Sequence, residues 1–343
     1  MHIAERRCYR LACATGIALA LGYGMGLAIP FIAPLLAILL GAKPARPPGL
    51  KASIIVILFM VVALGIGVAI GPLLQLAPVS ALLLISLGLF FSSRLAIVGG
   101  KEVPSTLLAM GFTVIPAASC VSQALALAII ATLALSVAIA IVSLWLAYPL
   151  FPEGSGTPPP PPAPVSPEEG GWLSLRATLI VLPAFLLTLT NPAAYLPLTV
   201  KSILLGREAT EVRLRDAGRE LIGSTALGGI CAIAVWGLLS LAVELWFFTG
   251  WVVLVTLLLM SGAYGARASR FGASFWVNTL TTMLILLGAA VQDSANGKDV
   301  YQAFAVRLAL FIAVTLYAIL AMALLENWRN WRGDRTRRMT HAV

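Results

Sequence analysis

Apolar residues in this chain run in long unbroken blocks, not in the alternation of a half-buried strand or the three-to-four spacing of a water-facing helix. Between Lys51 and Arg94 lie 42 residues without a charge, and between Glu102 and Glu153 lie 50. As continuous helix the shorter window would measure about 63 Å, twice a bilayer core, so each window has to turn. Gly71-Pro72 with Pro78, and Pro116–Ser119, supply the places. A third uncharged window, 11–41, holds Gly22, Gly24 and Gly26 ahead of Pro30 and reads as a helix followed by a short one. The pattern predicts helices at about 10–27, 30–41, 52–71, 78–93, 104–116 and 122–148, then 173–190, 192–206, 219–243, 246–265, 271–291 and 301–326. The expected fold is all-α: a polytopic membrane protein of about twelve transmembrane helices. The segments at 30–41, 104–116 and 192–206 are the shortest for a full crossing.

Composition agrees, with 60% apolar and 11% charged residues, where a soluble domain carries roughly a quarter charged. The net charge of +9 is therefore read as loop charge that orients helices and not as a nucleic-acid surface. With both termini cytoplasmic, the inner loops collect Lys43, Arg46, Lys51, Arg94, Lys101, Lys201 through Arg219, Arg267 and Arg270, whereas the outer loops hold Lys298 alone. Arg6, Arg7 and Arg10 ahead of an apolar run resemble a signal peptide. No small-residue cleavage site follows, so this is read as a first membrane helix. Cys8, Cys13, Cys120 and Cys231 show no metal or disulfide spacing, and His2 and His341 lie in the tails, so no metal and no cofactor are expected.

A proline run divides the chain. Seven prolines between Pro158 and Pro167 make a semi-rigid extended spacer, or a docking site for a proline-recognition module. The expected organisation is a first six-helix repeat at 1–148, a linker at 149–171, a second repeat at 172–328 and a basic tail at 329–343. Ile38-Leu39-Leu40-Gly41 ends the second segment and Ile203-Leu204-Leu205-Gly206 the eighth. Arg10 opens the first and Arg176 the seventh, and Gly71-Pro72-Leu73-Leu74 is echoed by Gly237-Leu238-Leu239. Six helices is an even number, so the repeats would be parallel, related by an axis along the membrane normal.

This layout resembles the fusaric-acid-resistance and aromatic-acid-exporter family, in a compact form with a short linker in place of the large soluble domain. The resemblance covers most of residues 5–328 and lies in layout and faint motif. It implies a bacterial inner-membrane permease that exports aromatic or other small organic acids with a periplasmic membrane-fusion adaptor. A homo-oligomer and a monomer are both compatible with the sequence.

Polar groups inside apolar segments are the natural site candidates. Arg307 is the one basic residue read as well inside a helix, either an anion-attracting group or the partner of an outer-rim carboxylate: Asp293, Asp299 or Glu244. Asn278, Thr281 and Thr282 share a helix face and line a polar path or bond across helices. Pro30 and Pro34 in one half, with Asn191-Pro192 and Pro197 in the other, sit at matching breaks, where unwound backbone leaves groups free for a ligand. Thr113, Ser119, Ser122 and Gln123 flank the expected break at Pro116, and Arg207, Glu211 and Arg215 space a solvated helix extension. With no helical histidine and no carboxylate cluster, an enzyme such as a lipid-linked transferase has little to work with. A transporter is the leading reading, and a transferase, a channel or a scaffold subunit is the alternative.

Overall fold

The computed structural model describes residues 2–43, 46–153, 165–211, 216, 218–297 and 299–340. The linker's Pro158–Pro164 run, Lys298, Arg215 and His341 lie outside them. Twelve α-helices and no strand are found among the described residues: α1 (Ile3–Gly24), α2 (Ile32–Gly41), α3 (Leu50–Leu76), α4 (Pro78–Ile97), α5 (Glu102–Val121), α6 (Gln123–Leu150), α7 (Pro167–Thr190), α8 (Pro192–Glu211), α9 (Gly223–Leu239, entered through a π-turn at Gly218–Ile222), α10 (Leu245–Ala263), α11 (Ala273–Ala295) and α12 (Val300–Thr340). Nine of these, with the π-turn counted into α9, are long and apolar enough to span a bilayer. The chain is a polytopic membrane protein.

Two expected breaks are corrected. The chain does not turn at Gly71-Pro72 or at Pro116; α3 and α5 run through both prolines and end at Leu76 and Val121. A proline removes one backbone hydrogen bond, whereas a non-helical stretch in apolar surroundings would strand several. The turns fall instead where the next helix can start. Pro78 is the first residue of α4, and the Ser122 hydroxyl accepts from the Leu125 amide at the start of α6. Asn191 and Asp299 do the same for α8 and α12. The basic stretch after Trp328 is also not a separate tail: α12 carries on to Thr340.

Packing repeats across the linker. Within the first half α1 contacts α2 and α6, α2 contacts α6, α3 and α4 contact α5, and α5 contacts α6; each pair recurs in the second half with six added to the helix number. The four largest contacts between halves pair up likewise, α1 on α10 with α7 on α4, and α5 on α8 with α11 on α2. The α3–α5 and α9–α11 seams are built alike. A Cβ on Gly67 would sit 2.2 Å from the Gly111 carbonyl oxygen, and one on Gly228 would sit 2.7 Å from that of Thr279. Backbones this close need glycine at the contact.

Helices α2, α5, α8 and α11 form the centre. In α11 83% of the membrane-length window is buried, against 28% in α4 and α12, where Leu83, Leu87, Leu316 and Leu320 point outward toward lipid. Here "inner" denotes the end where α1 begins and α12 finishes. There Arg7 and Arg10 pair with Glu153 just past α6, and Trp172 stacks on Trp328 at 5.8 Å. Burial pushes the Glu153 carboxyl up, but hydrogen bonds and charge from Arg10 and Arg7 outweigh it and hold it below its ordinary value. The pairing therefore stabilises the fold fully above the ordinary carboxylate range and is lost as pH falls through the depressed value.

The close seam supplies a test. Gly67→Ala should lower the thermal stability of the detergent-purified protein by about 1–3 kcal/mol, an overpacking penalty. Gly65→Ala, two residues away with open space around it, should be silent. Equal melting of the two variants would contradict the packing.

Candidate functional site

Two spaces lie between the halves, one above the other. The outer one has a volume of about 610 Å³ and takes walls from α2 (Ile32), α5 (Met110, Val114), α6 (Ile129), α8 (Leu196, Pro197, Val200) and α11 (Ala289, Gln292). The inner one, about 30 Å³, has room for a single water. Its walls are α4 (Ser92), α5 (Ser105, Thr106, Ala109), α7 (Ala177, Val181) and α8 (Ile203, Gly206, Arg207). One stripe of α8 and one stripe of α5 therefore line both spaces in succession, and these two helices pack on each other across the halves. Between the spaces the seam closes on Ala109, Met110, Val200 and Ile203.

The rim of the outer cavity is the stretch between α1 and α2. At ten residues α2 rises only about 15 Å, half a bilayer core. It is joined to α1 by non-helical backbone at 25–31, turned by Gly26 at φ 63°, with Pro30 packed against Gly22 near the end of α1. Such backbone survives at membrane depth only against protein or beside water. Gln292 on α11 donates to the Ala28 carbonyl at 2.7 Å, and Leu27 through Phe31 border the cavity. The Tyr23 hydroxyl, beside the same space, is buried and has no hydrogen-bond partner among the described residues.

Arg307 also borders this cavity, and its guanidinium pairs with Asp293. Arg307 thus faces the space between the halves, and of the three carboxylates named for it Asp293 is its ion-pair partner. Asp293 is 4% exposed, buried where a rim position was expected. Asp299 and Glu244 are exposed and belong to a neighbouring cavity of about 720 Å³, with Trp236, Phe248 and Tyr301; Tyr23 forms the wall between the two.

One correction matters most. Lys201 is not a loop cation. It lies mid-way along α8, fully buried, and its ammonium donates to Asn278 Oδ1 and, at 2.7 Å, to Thr282 Oγ1. Asn278 passes the network to Ser224 on α9 at 2.6 Å, and Thr282 donates back to Asn278. Lys201 precedes Gly206 by five residues, as Leu36 precedes Gly41. Matching the Gly67–Gly111 contact to Gly228–Thr279 sets Asn278 against Met110 and Ser224 against Ala63. The first half is apolar where the second holds a buried cation. Lys201 is the single charge between Pro192 and Gly206, and that isolation in an apolar run is the sequence signal that marks it.

Other candidates have local roles. Thr281 bonds the Asn278 carbonyl of its own helix, and Thr113 bonds that of Ala109. Asn191 caps α8 and Pro192 is its first residue, while Pro30 and Pro197 border the outer cavity. Glu211 and Arg215 are outside the described side chains; Arg207 instead reaches Glu102 on α5.

Comparison with known proteins places part of this framework. Residues 7–147, which span α1 to α6 almost whole, match a family model described as "Protein of unknown function (DUF2955)". No curated protein and no solved structure matches the chain.

The buried network predicts strong coupling. Lys201→Leu should destabilise the protein by about 1–3 kcal/mol, because Asn278 and Thr282 lose a buried donor. Adding Asn278→Met, which copies the first half's pair, should restore much of it. Additive losses in thermal melts would refute the network.

Proposed function

We propose that this chain is a permease for small organic anions, which pass along the α5–α8 seam between its two halves. One observation carries the proposal: a cavity of about 610 Å³ between the halves, rimmed by an interrupted membrane segment and holding the Arg307–Asp293 pair. Interrupted segments at a repeat interface are where secondary transporters bind substrate. A guanidinium offers a carboxylate two parallel hydrogen bonds, and in a site poor in water such a contact is strong. Asp293 keeps Arg307 neutralised while the cavity is empty, and an incoming carboxylate would take its place. The apolar walls of α5, α6 and α8 suit the hydrocarbon or aromatic part of such an acid. The open outer cavity above a water-sized inner pocket is an outward-facing arrangement in this reading.

The resemblance to the aromatic-acid exporters extends the proposal to efflux across a bacterial inner membrane, with both termini cytoplasmic and a periplasmic adaptor as partner. Reporter fusions after Val343 and in the turn at 294–297 should then report opposite sides. The same side for both would rule out this topology.

Benzoate flux per folded molecule in proteoliposomes tests the site. Arg307→Gln leaves Asp293 buried and unpaired, and such breaks can cost several kcal/mol. The decisive variant is therefore Arg307→Gln with Asp293→Asn, which keeps a neutral hydrogen-bonded pair. It should fold normally and lose about tenfold or more in flux. Arg307→Lys should keep part of the activity, because a point charge lacks the forked geometry. Unchanged flux in the double variant would end the proposal.

A further inference from the structure

We infer that Arg207 is a second anion-binding station, at the inner end of the same seam, and that Glu102 masks it in this conformation. The inference rests on the permease reading and adds to it where the anion goes after Arg307. On α8, Val200, Ile203 and Arg207 follow one another along a single face, from the outer cavity to the inner pocket. Arg207 borders that pocket with its side chain 21% exposed, and its Nη2 lies 3.4 Å from Glu102 Oε2. The other oxygen of Glu102 takes Lys43, which is 67% exposed. Glu102 and Lys43 belong to the first half and Arg207 to the second.

This placement differs from that at the outer end. Arg307 and Asp293 both belong to the second half, so the halves can part there without breaking the pair. The inner pair joins the halves, and any opening of the seam at that end must separate Arg207 from Glu102. Once separated, the guanidinium faces a pocket lined by Ser92 of α4, Ser105, Thr106 and Ala109 of α5 and Val181 of α7. The hydroxyls of Ser92, Ser105 and Thr106 already donate to the carbonyls of Ser105, Ser92 and Glu102, so the guanidinium takes the carboxylate of a short aliphatic or aromatic acid and the apolar carbons of the pocket take its hydrocarbon part. Glu102 thus acts as a resident competitor for Arg207 and as the latch that shuts the pocket.

Thiol labelling separates this from a plain surface ion pair. A cysteine at Ser93, which borders the inner pocket, is labelled with an impermeant maleimide from the inner side of oriented vesicles and compared with the chain lacking it. Glu102→Gln should speed labelling by about two- to fivefold, the range for loss of a partly exposed pair. Lys43→Gln should not. Glu102→Asp, with a shortened reach, should lie between and guards against a folding defect in the glutamine variant. Saturating benzoate should slow labelling of the Glu102→Gln protein and have no effect once Arg207→Gln is added. Labelling at the parent rate in both Glu102 variants, or equal benzoate protection with and without Arg207, overturns the inference. Labelling is read on the protein and flux on the vesicle, so the two readings fail differently. Benzoate-sensitive labelling without flux would strike the permease and leave the inner station standing. Flux with unresponsive labelling would strike the inner station alone.

Discussion

Hydrocarbon offers a peptide group no hydrogen-bond partner, and most of this architecture follows from that. Prolines 72 and 116 stay inside helices because any irregular alternative would strand more backbone than one missing amide does. Where the chain leaves helical form between α1 and α2, one of the freed carbonyls is met by a side chain: Gln292 donates to Ala28. The interruption is tolerated because α11 stands beside it, and α11 is the most enclosed of the spanning helices.

The same demand sorts the charges. Lipid-facing helices such as α3 and α10 carry none beyond their ends, while the enclosed centre accepts Lys201, Asp293 and Arg307 because each finds polar partners there. The centre is thus the one region where solvation by protein replaces solvation by water. It is also the region that both halves build together, through α2, α5, α8 and α11. Cavity, interrupted segment and buried cations coincide for one reason: each needs shelter from lipid.

Much of the fold is legible in the sequence, since charge-free windows longer than a bilayer dictate both helices and turns. The long runs from Lys51 to Arg94 and from Glu102 to Glu153 fall into two helices each, as their lengths require. Exact turn positions are less legible. Proline marks a break in water, but in an apolar setting the capping ability of Ser122 and the first-turn fit of Pro78 decide. Arg307 stands out in the sequence because its neighbours are apolar. Lys201 is as isolated, yet it lies within a short segment followed by basic loop residues, and charge counting assigns it to the loop. Its burial follows from helices α9 and α11, which are far away in the chain and whose arrival no local pattern announces.

Every internal packing pair of the first half recurs in the second, but the chemistry does not. Where Lys201, Asn278 and Ser224 form a hydrogen-bonded cluster, the first half has Leu36, Met110 and Ala63. The recurring six-helix packing is held by glycine contacts and helix order, and neither depends on the charge at the centre. The chain is in effect a dimer of unequal subunits fused end to end, with the frame held in common and the charged centre vested in the second.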